Sequence, residues 1–126
     1  MPETKLQPTI AIVDDDESIL DSLKMVLEDQ EWNAQTYISG ESFLADFEQH
    51  VPDCIILDSH FPGKNGADVV RFIKTINKSI PIIVLTAYPK SQETNEIMEL
   101  GATEVLAKPI KAEVLIDHVQ RIFPST

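Results

Sequence analysis

From Thr9 onward, short apolar runs alternate with longer amphipathic stretches, the pattern of a repeated strand-helix unit that builds a parallel sheet. The first run predicts a strand over 9–14, followed by a helix over 17–30 with Ile19, Leu20, Leu23, Val26 and Leu27 on one face. A strand over 33–37 is less apolar, which suits a sheet edge. Gly40 and Glu41 lead into a short helix that ends before Pro52 and turns Phe43, Leu44 and Phe47 inward. A strand over 53–58 then runs into the turn Phe61, Pro62, Gly63, Lys64, Asn65, Gly66, whose glycines permit positive φ. The third helix carries Val69, Val70, Phe72, Ile73 and Ile76, and the strand over 82–86 is almost wholly aliphatic, as expected when both faces are covered. The fourth helix, 91–100, is polar through its first two turns and apolar only at Ile97, Met98 and Leu100, with Gly101 suited to its C-terminal cap. A last strand over 103–107 and a helix over 111–123, with Val114, Leu115, Val119 and Ile122, complete the α/β series.

Four of these strands deliver polar groups at their C-terminal tips: Asp14, Asp15 and Asp16 after the first, Asp58 at the end of the third, Thr86 on the fourth and Lys108 after the fifth. In an open parallel sheet such tips share one edge, so carboxylates, a hydroxyl and an ammonium converge in one crevice. Asp16 and Glu17 are expected to cap the first helix, because acids in a first turn accept from its free amides and complement its dipole. Asp14 and Asp15 stand on the strand tip, where closely spaced like charges favour a cation.

Composition narrows the classes. A chain of 126 residues makes one domain with a sizeable core. The lone Cys54 excludes a disulfide framework and a cysteine metal site, which fits a reducing compartment. Residues 1–8 are polar with two prolines, and no apolar stretch approaches a membrane span, so a soluble, unprocessed, cytoplasmic protein is expected. A net charge of −11 with scattered Lys and Arg argues against direct nucleic acid binding. The turn after the first strand is acidic rather than glycine-rich, which disfavours a dinucleotide or flavin site.

Taken in order, Asp14-Asp15, Asp58 with Phe61-Pro62-Gly63 and Gly66, Thr86-Ala87 and Lys108-Pro109 resemble the receiver domain of bacterial two-component response regulators. The resemblance spans residues 9–123, leaving 1–8 as an N-terminal extension and 124–126 as a tail, and within the family the run from Asp14 and the segment 36–44 resemble receivers of the nitrogen-fixation-regulator type, here without a following helix-turn-helix output domain. It implies a flavodoxin-like, doubly wound five-stranded parallel sheet of order 2-1-3-4-5. It also implies that Asp58 accepts a phosphoryl group from a histidine kinase or phosphotransfer protein. Mg²⁺ would be held by Asp15, Asp58, the His60 carbonyl and, through water, Asp14. Lys108, preceding a cis proline, would pair with a phosphate oxygen, and Thr86 with Ala87 would form the switch.

The sequence departs from the family pattern at Val105, where receivers carry an aromatic that swings inward as the threonine moves. His60 and Tyr88 are bulky groups at the positions that tune hydrolysis, so His60→Ala is expected to change the lifetime of the phosphorylated state; His50 and His118 read as solvated. The reading is a switch that catalyses only its own phosphorylation and dephosphorylation, is not otherwise an enzyme, and signals to a downstream target or output domain, or a second copy, through the fourth helix, fifth strand and fifth helix. The alternative is a phosphorylation-independent receiver-like interaction module. An aspartyl phosphatase of the haloacid-dehalogenase type is disfavoured, since it needs an Asp where His60 stands.

Overall fold

The five apolar runs become five parallel strands, β1 (Thr9–Val13), β2 (Asn33–Tyr37), β3 (Cys54–Asp58), β4 (Ile82–Thr86) and β5 (Glu104–Ala107), hydrogen-bonded in the order β2-β1-β3-β4-β5. Between and after them lie α1 (Glu17–Asp29), α2 (Gly40–Asp46), α3 (Gly66–Ile76), α4 (Gln92–Glu99) and α5 (Ala112–Ile122). This computed structural model describes residues 7–59, 66–77 and 79–124. The expected turn from Phe61 to Asn65, and His60, lie outside the described residues.

The period-two alternation of the strands divides the interior into two layers. Ala11, Val13, Ile55, Leu57 and Val84 face α2, α3 and α4, where Phe43, Val69, Ile73 and Ile97 are buried. Ile10, Ile12, Cys54, Ile56, Ile83 and Leu85 face α1 and α5, against Leu20, Leu27, Leu115 and Val119. Burying each Val, Leu, Ile or Phe side chain among them contributes roughly 1.5–3 kcal/mol, which makes this double-sided burial the main reason the central strands stay in place. β2, with only Ala34 buried, and half-buried β5 form the edges.

Helix ends follow the local chemistry. Asp16 is the N-cap of α1, its carboxylate accepting from the amides of Ser18 and Ile19; the Ser18 hydroxyl bond first, and these amides next, hold its carboxyl below the usual range. Ser39 and Ser91 cap α2 and α4 in the same way. Gly101, just past α4, takes φ 118°, a conformation open to glycine.

Not every apolar residue that the helices carry is buried, and Val26, expected on the inner face of α1, is not fully so. Phe72, Ile76, Met98 and Val114 are 39%, 50%, 38% and 38% exposed, and Val26 is only half-buried. Each flanks the buried stripe of its helix rather than lying on it, because a short amphipathic helix on a sheet covers only its central stripe. Gly66 is also needed for a different reason than expected. Its φ is not positive; a Cβ there would come within 3.0 Å of the Ser59 Cα and 3.1 Å of the Ser59 carbonyl oxygen, so the absence of a side chain lets α3 approach the end of β3.

Candidate functional site

Strand order reverses direction beside β1. The chain moves outward from β1 to β2, then returns to β3 on the other side, and the connecting helices leave from opposite faces to open a crevice at the C-terminal edge. Register aligns Val13 with Leu57, Asp58 with Leu85 and Thr86 with Ala107, so the groups that end or follow these strands stand at one level. The result is a cavity of about 350 Å³ whose walls include Asp14, Asp15, Asp58, Thr86, Ala87 and Lys108.

The Lys108 ammonium donates to Asp58 Oδ1 at 3.0 Å and to Asp14 Oδ2 at 3.2 Å. Asp14 and Asp58 are 2% and 6% exposed, so these are charge-assisted bonds in a largely dry setting. Burial works against the ammonium, yet the bond and charge of Asp58, with those of Asp14, outweigh it and leave the lysine above its ordinary pKa. The backbone holds Lys108 in position, for its amide donates to the Thr86 carbonyl at 2.8 Å and its bond to Pro109 is cis, as the resemblance implied. Pro109 is not the first residue of a helix, since α5 begins three positions later after an N-cap at Lys111.

Asp14 turns its other oxygen to the Asp16 amide at 2.9 Å, which ties the strand tip to the start of α1. Asp15 is exposed at the mouth. One carboxylate oxygen from each of Asp14, Asp15 and Asp58 lies within 4.8 Å of the others. An all-oxygen set of three carboxylates suits a hard divalent cation such as Mg²⁺, which takes a few carboxylates and completes its shell with water and substrate oxygens. Thr86, 2% exposed, accepts from the Tyr88 amide through Oγ1 at 2.9 Å.

Asp14, Asp15, Asp58, Thr86, Ala87 and Lys108 are therefore brought together, while His60 lies outside the described residues. Val105 is away from the cavity, half-buried in the layer beneath α4. Sequence reasoning missed Ser59, Ser91 and Glu93, which also line the cavity. Ser59 was readable as the neighbour of Asp58, whereas Ser91 and Glu93 looked like an ordinary helix start. His50 is exposed, as the solvated reading has it, and pairs with Asp46 at 2.9 Å, whereas the His118 ring departs from that reading and lies against the Glu104 carboxylate, with a side chain only 20% exposed. Among the described residues no helix is long and apolar enough to cross a membrane.

Comparison with known proteins agrees with this architecture. The response regulator receiver domain family matches residues 10–120. The sensory transduction protein RegX3 of Mycolicibacterium smegmatis is 32% identical over 114 residues, 90% of this chain and 50% of that protein. The DNA-binding response regulator MtrA of Mycolicibacterium paratuberculosis is 30% identical over 115 residues, 91% of this chain and 51% of the relative. The chain thus spans about half the length of these relatives. Among solved structures, the chemotaxis protein CheY4 of Vibrio cholerae superposes with a TM-score of 0.86 at 29% identity, over 92% of this chain and 98% of its own. The BeF3-activated receiver domain of DrrB gives 0.87 at 29% identity, over 95% of this chain and 100% of its own. With the acidic crevice, the sheet order and the family match in agreement, this chain belongs to the response regulator receiver domains of two-component systems.

Proposed function

We propose that this chain is a phosphorylation-dependent switch in which Asp58 takes a phosphoryl group from a phosphohistidine on a histidine kinase or phosphotransfer protein. The N–P bond of the donor breaks and an O–P bond to the Asp58 carboxylate forms, giving a mixed anhydride that water later cleaves. The observation that carries this reading is the buried Asp58 with Lys108 at 3.0 Å, beside Asp14 and Asp15 in one oxygen cluster.

The obstacle to the reaction is charge. An anionic nucleophile meets an anionic donor, and the loose transition state spreads negative charge over the equatorial oxygens. Asp14, Asp15 and Asp58, with the His60 carbonyl that the resemblance implies, would hold Mg²⁺. When bound, that ion would neutralise charge developing on the phosphoryl oxygens. Lys108 is already aimed at Asp58 and needs only to shift its donors to a phosphoryl oxygen. The Thr86 hydroxyl would donate to another, and Ala87 leaves room for the group and offers its amide. Turning Thr86 toward the phosphoryl group removes the acceptor from the Tyr88 amide, so a change of charge becomes a change of loop shape. Bulky His60 and Tyr88 would restrict the approach of water.

In this reading residues 9–123 act as the unit, flanked by an extension at 1–8 and a tail at 124–126. The setting is cytoplasmic, and α4, β5 and α5 form the surface for a downstream target, an output domain or a second copy. Catalysis is limited to the chain's own phosphorylation and dephosphorylation. Val105 favours one second reading, a receiver-like interaction module that does not need phosphorylation. Incubation with a small phosphodonor and Mg²⁺ separates the two. A mass gain of one phosphoryl group, absent in Asp58→Asn, supports the switch; no gain in the unaltered protein supports the module.

A further inference from the structure

Thr94 is buried at 2% exposure although it sits in the most polar helix of the fold. Among the described residues the other buried polar side chains, Asp14, Asp58, Ser59 and Thr86, all lie at the ends of β1 and β3 and on β4, around the crevice. A buried hydroxyl is costly unless its hydrogen bonds are made, and those of Thr94 are made in a specific direction. Its Oγ1 donates to the Tyr88 carbonyl at 2.8 Å and accepts from the Ser91 hydroxyl at 3.0 Å. This goes beyond helix capping. The Ser91 side chain already caps the Thr94 amide at 3.1 Å, and a capping box would send the third residue's side chain back to the cap's own amide. Here the Ser91 amide goes instead to the Tyr88 carbonyl at 3.1 Å, and Thr94 reaches past the cap to the same oxygen.

Tyr88 is therefore gripped at both ends of its backbone. Its amide donates to Thr86 Oγ1 at 2.9 Å, and its carbonyl accepts from Thr94 Oγ1. Two threonine hydroxyls, one at the crevice and one inside α4, are joined through a single residue. Val105, the position from which an aromatic would follow the threonine in the family pattern, carries a side chain that cannot swing.

We infer that Thr94 is the positioning residue that couples the Thr86 switch to α4, standing in for the missing aromatic. The inference rests on the switch reading above. When Thr86 turns to the phosphoryl group and releases the Tyr88 amide, the Tyr88 carbonyl stays bonded to Thr94, so displacement of the loop pulls on the first turn of α4. Without that hydroxyl only the Ser91 amide at the cap still reaches the Tyr88 carbonyl, so α4 follows the loop less.

The test is hydrogen exchange of the segments spanning 87–91 and 92–100, with and without phosphodonor and Mg²⁺, alongside the mass of the intact chain. The unaltered protein is expected to gain one phosphoryl group and change exchange in both segments. Thr94→Val should keep the mass gain and the loop response and weaken the response in α4. Thr94→Ser, which keeps the hydroxyl, should restore it, a rescue that a purely space-filling role would not need. A response in α4 of Thr94→Val equal to that of the unaltered protein overturns the inference. Absence of the mass gain in the unaltered protein instead overturns the switch reading. The latch is then tested without phosphate, and without any change at Thr94, in Thr86→Val. Loss of the acceptor for the Tyr88 amide should speed exchange in the first turn of α4, whereas acceleration confined to 87–91 overturns the coupling.

Discussion

Lys108 Nζ lies 3.0 Å from Asp58 Oδ1, joining groups fifty residues apart, and its second bond at 3.2 Å reaches Asp14 just past the neighbouring β1. The ammonium thus supplies the counter-charge that two buried carboxylates would otherwise take from a divalent ion. In the proposed switch, lysine and a bound metal would act on the same negative charge, so their effects on binding would oppose each other while both would assist phosphoryl transfer.

Replacing the ammonium with a neutral side chain of similar length separates those two roles. Lys108→Met is expected to bind Mg²⁺ several-fold more tightly, since removal of about 1 kcal/mol of competing attraction corresponds to roughly fivefold in affinity. The same variant should accept phosphoryl groups at least tenfold more slowly, having lost a donor aimed at the developing charge. Calorimetric titration with Mg²⁺ and timed mass measurement check both. Weaker Mg²⁺ binding together with unchanged phosphorylation would contradict the opposed roles.

A ligand that binds only the folded chain stabilises it by mass action. At tenfold excess over its dissociation constant, Mg²⁺ should add about 1.4 kcal/mol to the unfolding free energy. Asp15 is exposed, so Asp15→Asn should change the metal-free stability by less than about 0.5 kcal/mol while removing most of the Mg²⁺ increment. Urea unfolding with and without Mg²⁺ reads both quantities. A Mg²⁺ increment that survives in Asp15→Asn would remove this carboxylate from the ligand set.

The strand ends were legible because a strand covered on both faces must be apolar throughout, and a carboxylate or ammonium after such a run has only the sheet edge to occupy. Asp14, Asp58, Thr86 and Lys108 share the crevice for that reason. The rotational phase of the short helices was less readable. Phe72 and Met98 are as apolar as their buried neighbours Ile73 and Ile97, and only packing on the sheet decides which of them faces it. Thr94 was hidden for the opposite reason, because a threonine in a polar run reads as surface. Lys108 was expected across a phosphate, and its direct bonds to Asp14 and Asp58 depend on long-range side-chain placement that sequence spacing does not encode.

The end of α1 carries a correctable strain. The Trp32 amide donates to the Leu27 carbonyl at 3.2 Å and the Glu31 amide to Glu28 at 2.9 Å, the paired bonds of a Schellman cap, yet its left-handed position is held by Glu31 at φ 70°. Glutamate has a Cβ that resists this conformation. Glu31→Gly is expected to raise stability by about 0.5–1 kcal/mol, the relief of that clash less the added freedom of the unfolded chain. A denaturant midpoint that falls would mean the Glu31 side chain contributes more than its backbone costs.

Cys54, fully buried in β3 against the α1 and α5 layer, has its thiol pushed up from 9.0 to about 12, chiefly by burial. Below pH about 9 the folded and unfolded chains both hold the proton, and the thiol makes no pH-dependent contribution. Between 9.0 and about 12 the unfolded chain releases a proton that the folded chain keeps, so stability falls as pH rises across that window. The slope approaches about 1.4 kcal/mol per pH unit for one proton. Cys54→Ala has no such proton to release but loses the packing of the sulfur, so it should be less stable than the unaltered chain near neutrality, with the gap narrowing in alkali. Urea unfolding of both proteins at pH about 8 and about 10 measures the gap, and the subtraction removes lysine and tyrosine titrations common to both. The native thiol should also resist alkylation at neutral pH and react once the chain unfolds. A gap that stays constant with pH, or rapid alkylation of the folded protein, would show that β3 is opened to solvent and that the layer behind Asp58 is looser than its burial indicates.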